Sequence, residues 1–267
     1  MRPKPVGILH IPYDNNSSFT KGPAKAPAKI DEILVSGSLN KTCENGVLLK
    51  WNQNIHTLPK LPIFDQVTFN TNIELAVSKA IAQGFQVLSL GGDHSITYPI
   101  VKGIYQHFGP VNIIHFDAHP DLYDVFKGNR YSNACPFARI MEENLAKSLH
   151  QYGIRTLNEH QSQQAKKFRV NVNTMLDWPC EVPELEGVVY LSIDIDALDP
   201  AFAPGVSHRE PGGLSTRDII NFIHKIKAPV IGVDIVEYNP DKDIDNLTAY
   251  VAAKLVKEAA GVMLSSQ

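Results

Sequence analysis

The chain has 267 residues, of which 43% are hydrophobic and 20% are charged, which is enough to bury the core of one α/β domain spanning 1–267. The net charge is −3 and the charges are scattered, so nothing favours a nucleic-acid or membrane-surface partner. No apolar run approaches the roughly 18 residues of a transmembrane helix. The three cysteines, Cys43, Cys135 and Cys180, form no CxxC pair and favour a reduced, cytoplasmic protein.

Strands and helices are predicted to alternate along the chain, because β-branched apolar runs alternate with segments of helical spacing. The predicted strands are 6–11, one weak strand within 36–66, 85–90, 111–116, 152–155, 170–175, 188–194 and 229–236. The predicted helices are 28–34, 71–84, 96–107, 136–147, 160–167, 215–225 and 247–263. Thr71 and Ser215 are each predicted to open a helix with a capping box. The alternation predicts a three-layer α/β/α fold with a mainly parallel sheet of about eight strands.

The strand 188–194 ends in a group of closely spaced aspartates, Asp194, Asp196 and Asp199. In an extended strand, Asp194 and Asp196 would point to the same side. Two carboxylates on one face of a buried strand repel each other and lose their hydration, so they need a cation or a proton nearby. We interpret Asp199, together with Pro200, as the residue that ends the strand and shapes the loop.

Two more polar clusters follow predicted strands: Gly-Gly-Asp-His-Ser at 91–95 and Asp-Ala-His-Pro-Asp at 117–121. Each cluster alone fits a structural turn, a solvated loop or a helix cap. Because the carboxyl ends of parallel strands share one edge of a sheet, we expect all the clusters to meet there. The candidate metal ligands are His94, Asp117, His119, Asp121, Asp194 and Asp196.

Four carboxylates and two imidazoles carry too much negative charge for one divalent ion. They suit two ions that share a bridging hydroxide. Carboxylate-rich ligation with some imidazole favours manganese and also fits nickel, cobalt or iron.

Together, these motifs resemble those of the ureohydrolases, the family of arginase and agmatinase. The matching segments are 91–95, 117–121, 192–200 with Pro204-Gly205, 212–214 and 233–237. Segments 127–132 and 137–142 are most similar to the plant arginase branch. The resemblance implies a homo-oligomer, either a trimer or a hexamer, that acts on a small guanidino substrate.

The resemblance also implies a role for each candidate ligand in a site for two Mn²⁺ ions. His94 and His119 would serve different ions. Asp117 and Asp194 would bridge the ions, and Asp196 would complete the set. Asp121 would also accept and return a proton during catalysis.

Glu237 is implied to hold the substrate guanidinium by a charge-assisted pair. The implied reaction is attack of hydroxide on a guanidino carbon, releasing urea and an amine. Arginine, agmatine and related guanidino compounds stay open as substrates, since a basic pocket would favour a carboxylate and an acidic or neutral pocket would favour agmatine. The loop after the second cluster offers donors for the far end of the substrate, and its candidates are Tyr123, Asn129, Arg130 and Tyr131. Asn133 of the same loop is a further candidate for substrate binding.

One position departs from the family pattern. Asn133 stands where the family usually has a histidine that shuttles protons, and asparagine cannot carry a proton near pH 7. The departure leaves two hypotheses open, an altered enzyme or a catalytically impaired metal-binding relative with an interaction or regulatory role. His208 is a candidate substitute catalyst, with a solvated loop histidine as the competing interpretation. His115 is expected to be a buried partner of a metal ligand, with a catalytic residue as the competing interpretation.

Overall fold

Eight strands form one parallel sheet in the computed structural model, which describes residues 4–61 and 68–265. The strands are β1 (Val6–Ile11), β2 (Ile55–Thr57), β3 (Gln86–Gly91), β4 (Val111–Phe116), β5 (Ala146–Ile154), β6 (Asn171–Thr174), β7 (Val189–Asp194) and β8 (Val230–Val236). Their order across the sheet is β2-β1-β3-β8-β7-β4-β5-β6, and every neighbouring pair is parallel. The predicted parallel sheet is therefore confirmed.

Helices cover both faces of the sheet. They are α1 (Ala26–Val35), α2 (Phe69–Ala82), α3 (Thr97–Phe108), α4 (Pro136–Glu142), α5 (Glu159–Phe168), α6 (Thr216–Ile223) and α7 (Leu247–Ser265). The buried residues of α1, α6 and α7 share one apolar core with the sheet, and those of α2, α3, α4 and α5 share a second. This arrangement confirms the three-layer prediction. None of the helices in the described ranges is both long and apolar enough to cross a membrane.

One predicted helix and the strand after it differ from the structure. The helix predicted over 136–147 ends at Glu142, and Ala146 begins β5. By spacing alone, a short apolar segment fits either a helix or a strand. Here the segment hydrogen-bonds to β4 and therefore forms a strand. The weak strand predicted within 36–66 is β2, whereas the apolar segment 47–49 forms only an isolated bridge. Residues 62–66 of that stretch lie outside the described residues.

The two predicted capping boxes have different outcomes. Ser215 opens α6 as predicted, because its side chain and that of Asp218 bond each other's backbone N–H groups. Thr71 does not open α2, which begins two residues earlier at Phe69. The Phe69 ring is buried and stacks on the ring of Tyr13, with 3.6 Å between the ring centroids. This tertiary contact extends the helix beyond the local capping signal.

The strand order fixes where the polar clusters meet. β3, β8, β7 and β4 are adjacent at the centre of the sheet, although the chain visits β3 and β4 in succession. Such a reversal of strand order opens a crevice at the carboxyl ends of the strands, where α/β proteins bind ligands. The segments with the candidate ligands directly follow β3, β4 and β7, and Glu237 directly follows β8.

Candidate metal centre

His94 lies at the bottom of this crevice, fully buried. Its Nδ1 atom is 3.2 Å from Asp117 Oδ2, 3.1 Å from Asp121 Oδ2 and 3.2 Å from Asp194 Oδ2. Three carboxylate oxygens from two different strand ends therefore converge on one imidazole nitrogen.

A second group of acceptors adjoins the first and shares Asp117 with it. His119 Nδ1 is 3.2 Å from Asp117 Oδ1 and 3.1 Å from Asp196 Oδ2. The possible ligand atoms of these three residues lie within 4.8 Å of one another. The two oxygens of Asp117 thus face different histidines, and the six predicted ligands form one continuous cluster.

The hydrogen bonds around His94 show which of its nitrogens is available. Nε2 is 3.0 Å from Ser192 Oγ, and that hydroxyl donates its hydrogen to Asp234 Oδ1 at 2.6 Å. Ser192 must therefore accept from the Nε2–H of His94, which leaves the other nitrogen facing the carboxylates. Nδ1 makes no hydrogen bond to them. A buried imidazole nitrogen that faces three carboxylate oxygens without a hydrogen bond to them is stabilised by a cation, and these residues therefore fit a divalent metal ion.

The pKa shifts of the cluster also indicate that its buried carboxylates are stabilised by positive charge. Burial lowers the pKa of His94, but the carboxylates beside it outweigh burial and raise that pKa well above its usual value. Burial opposes ionisation of Asp117, but the neighbouring histidines, His115 first and then His119 and His94, hold its pKa well below the usual range. Burial, with repulsion from Asp117, raises the pKa of Asp121 to about 7, and burial with repulsion from Asp196 raises that of Asp194 strongly.

The local backbone differs from the predicted extended strand ends. β7 stops at Asp194, and Ile195–Ala197 form a single 3₁₀ turn. Asp194 Oδ1 accepts a 2.7 Å hydrogen bond from the backbone N–H of Asp196, so a turn and not a strand face brings the two carboxylates together. Likewise β4 ends before Asp117, and Asp121 has a left-handed φ of 50°. The proximity was predicted correctly and its geometric reason was wrong.

Glu237 adjoins the cluster on the turn after β8, with a φ of 63°. Its Oε1 accepts hydrogen bonds of 2.9 Å from the backbone N–H of His94 and from Asn133 Nδ2. Its own N–H donates to the carbonyl of Gly92. Only glycine fits at position 92, because a Cβ there would lie 1.7 Å from the carbonyl oxygen of Tyr13. Burial raises the pKa of Glu237 to about 8, which a bound cation would lower again.

A cleft of about 210 Å³ opens above Asp121, Asp194 and Asp196. Its other polar lining residues are Ser18, His119, Tyr123, Asn133, Thr156, Gln161, His208, Glu210 and Glu237. Within residues 4–61 and 68–265, no lysine or arginine lines it. His208 lies over His119, with 5.5 Å between the ring centroids.

Three of the predicted substrate donors point elsewhere. Asn129 Nδ2 donates to Asn16, and its oxygen accepts from the N–H of Tyr131. Tyr131 stacks on the ring of Tyr98 and does not line the cleft. Arg130 donates to a carboxylate of α4. Of the loop candidates, Tyr123 and Asn133 reach the cleft.

Comparisons with known proteins identify the family of this chain. Residues 4–261 match the model of the Arginase family. A relative named "Arginase 1, mitochondrial" from Arabidopsis thaliana is 45% identical over 96% of this chain and 80% of its own length. This chain belongs to the arginase family. A solved arginase from Medicago truncatula superposes with a TM-score of 0.91 at 41% identity, covering 98% of this chain and 88% of that one. The human "Guanidino acid hydrolase, mitochondrial" is 32% identical over 95% of this chain and 76% of its own length.

Membership of the arginase family makes this chain a hydrolase of the arginase and agmatinase type. The family is metal-dependent, and the acid-histidine groups above are able to bind metal.

Several residues of the cleft were not singled out from the sequence: Ser18, Thr156, Gln161 and Glu210. Thr156 follows the end of β5 by two residues, so a search of every strand end for polar side chains would have found it.

Proposed function

We propose that this chain is a binuclear manganese amidinohydrolase that releases urea and an amine from a guanidino compound. The observation that carries this proposal is the unsatisfied Nδ1 of His94, surrounded by the oxygens of Asp117, Asp121 and Asp194. An imidazole whose Nε2–H donates to Ser192 and whose Nδ1 faces three buried carboxylates is suited to bind a metal ion.

The shared carboxylate supports a site for two ions. One oxygen of Asp117 faces His94 and the other faces His119, so Asp117 is suited to bridge two ions. His119 and Asp196 would complete the second site. Asp194 already accepts a backbone hydrogen bond at Oδ1, and its bridging role stays a prediction. Two divalent ions would offset the charge of the four carboxylates and supply the Lewis acidity that makes hydroxide available at neutral pH.

The residues of the chain itself supply binding and proton transfer. Glu237 binds the guanidinium by charge-assisted hydrogen bonds and holds the guanidino carbon next to the cluster. Asp121 accepts the proton of the attacking water and returns it to the leaving amine. Asp121 lines the cleft beside the cluster, so its carboxylate faces the space in which both transfers would occur. His208 is a second candidate for proton transfer because it borders the cleft.

The far end of the cleft favours a substrate with an ammonium group. Glu210 lines the cleft, and no lysine or arginine of the described residues lines it to pair with a substrate carboxylate. Arginine and agmatine both carry an ammonium group, whereas guanidinobutyrate does not. A carboxylate such as that of arginine would rely on neutral donors, for example Ser18, Tyr123 and Thr156. The cleft therefore supports arginine and agmatine over guanidino acids, and its acidity favours agmatine.

Two further proposals rest on sequence alone. A trimeric or hexameric assembly follows from the resemblance to the ureohydrolases. A cytoplasmic location follows from the cysteine pattern, and Cys43, Cys135 and Cys180 are all free thiols in the structure. Size-exclusion chromatography with light scattering would test the assembly. Fractionation of the source cells would test the location.

The activity is tested by loading the protein with manganese and measuring urea release from arginine, agmatine, guanidinobutyrate and guanidine. Asp194→Asn serves as the matched control, since it keeps the shape of the side chain and removes its charge. We expect urea from the ammonium-bearing substrates and none from Asp194→Asn. Absence of urea from every substrate, in both the wild type and Asn133→His with two ions bound, would favour the non-catalytic alternative.

A further inference from the structure

His115 and Gln151 form a buried pair on neighbouring strands directly behind the cluster. They face each other across β4 and β5, and both side chains are fully buried. His115 Nε2 lies 2.9 Å from Asp117 Oδ2, and its Nδ1 lies 3.0 Å from Gln151 Nε2. The pair therefore connects β5 to the carboxylate of Asp117, which both halves of the cluster share.

The carbonyl of Pro120 sets the direction of every hydrogen bond in this pair. Gln151 Nε2 donates to that carbonyl at 2.6 Å, and a flipped amide would place two acceptor oxygens against each other. The second hydrogen of the same amide points to His115, so the Nδ1 of His115 is an acceptor. A neutral imidazole has one donor and one acceptor, so His115 Nε2 carries the hydrogen and donates to Asp117.

Packing prevents the imidazole of His115 from turning. Its ring lies against Phe137 with 4.0 Å between centroids and against His94 with 5.0 Å. Asp117 is held from both sides, because its Oδ1 accepts from the N–H of His119 at 2.6 Å. The plane of the shared carboxylate is therefore fixed by two donors.

We propose that Gln151 and His115 are positioning residues that hold Asp117 in the orientation that joins the two halves of the metal site. This inference rests on the proposed metal centre. Ligand atoms of His94, His115 and Asp117 also lie within 4.8 Å of one another, which would allow His115 to be a ligand. Both nitrogens of His115 are already engaged, so it supports a ligand and does not bind the ion itself.

The tautomer is measured directly by ¹⁵N NMR of histidine-labelled wild-type protein, with the His115 signal assigned by its loss in His115→Gln. We expect an unprotonated Nδ1 and a protonated Nε2 in the metal-free protein and in protein loaded with diamagnetic zinc. A protonated Nδ1 would overturn the inference. This readout needs no catalytic activity.

The positioning role is measured by metal titration of Gln151→Met, His115→Phe and His115→Gln, followed by calorimetry and by the EPR spectrum of the manganese-loaded protein. Changes in residues that orient metal ligands typically weaken binding by about ten- to hundredfold, and we expect this for Gln151→Met and His115→Phe. His115→Gln should recover much of the loss, because its amide N–H can replace Nε2–H. Gln86→Met is the matched control, since Gln86 is another buried strand glutamine that bonds backbone carbonyls away from the cluster.

The outcomes separate this inference from the proposed function. Unchanged metal affinity and EPR spectrum in Gln151→Met and His115→Phe would overturn the positioning role even if the wild type releases urea. Weakened binding with rescue by His115→Gln would support it even if the wild type releases none.

Discussion

Asn133 Nδ2 donates a 2.9 Å hydrogen bond to Glu237 Oε1. The amide cannot be the other way round, because Asn133 Oδ1 accepts from the backbone N–H of Ser18 at 2.9 Å and from the hydroxyl of Ser132 at 3.2 Å. Asn133 is therefore committed to orienting Glu237. It ties the loop after β1 to the residue proposed to bind the guanidinium.

Asn133→Leu removes this support while keeping a similar side-chain size. Loss of a hydrogen bond to a charged group costs about 1.5–3 kcal/mol, so we expect the KM for the guanidino substrate to rise at least about tenfold with a smaller change in kcat. Steady-state kinetics would measure the changes in KM and kcat separately. Asn221→Leu on the exposed face of α6 is the control, and an equal effect in both variants would contradict a specific role for Asn133.

Asn133→His restores a group that can carry a proton at the mouth of the site. Proton transfer by a positioned side chain typically contributes about a hundred- to ten-thousandfold, and we expect kcat to rise by at least about tenfold if protonation of the leaving amine limits the wild type. The pH dependence of kcat should gain a histidine-like limb. An unchanged kcat and pH profile would show that the proton reaches the amine by another route, through Asp121 or His208.

Arg155 supports the site from below with backbone contacts alone. Its guanidinium donates to the carbonyls of Asp196 at 2.7 Å and Glu210 at 2.6 Å, and to those of Gly153 and Ala197. Lysine has too few donors to replace it, so Arg155→Lys should lower the stability by about 2 kcal/mol and weaken metal binding at Asp196. Calorimetry with and without manganese measures both effects.

The control for Arg155→Lys is Arg217→Lys, which alters an exposed ion pair with Glu44. Exposed pairs contribute little, so this variant should behave like the wild type. A similar loss of stability in the two variants would argue against the supporting role of Arg155.

Asp199 shapes the loop between β7 and α6, as predicted from the sequence. It accepts hydrogen bonds from the N–H groups of Ala201, Gly212 and Gly213, which lower the pKa of its carboxyl group, the Ala201 bond most. A lowered folded-state pKa stabilises the fold above the unfolded value of about 4, and this contribution is lost as the pH falls through the folded pKa. Asp199→Asn should therefore lower the Tm by a few degrees at pH 7.

The pH dependence of the Tm shows whether the ionised carboxylate of Asp199 stabilises the fold. The difference in Tm between the wild type and Asp199→Asn should shrink below about pH 4, where Asp199 itself becomes neutral. Asp245→Asn, at an exposed position, is the control. A difference that grows as the pH falls would contradict the assignment.

The sequence predicted which residues form the cluster, because polar motifs at the ends of parallel strands must meet at one edge of the sheet. It did not predict how they approach one another. Asp196 reaches Asp194 through a turn, and the left-handed conformation of Asp121 has no signal in a non-glycine residue. Side-chain directions in the loops were also beyond prediction. Asn129 points toward Asn16, whereas Glu210 faces the cleft, and only tertiary packing decides between such orientations.

Urea release should depend on two ions held by one cluster. The direct test is to titrate manganese into metal-free protein and to measure bound ions and the rate of urea release from agmatine or arginine in the same samples. We expect the rate to rise with occupancy and to reach its maximum at two ions per chain, with Asp194→Asn remaining inactive. Full activity at one ion per chain, or no urea at two, would contradict the account.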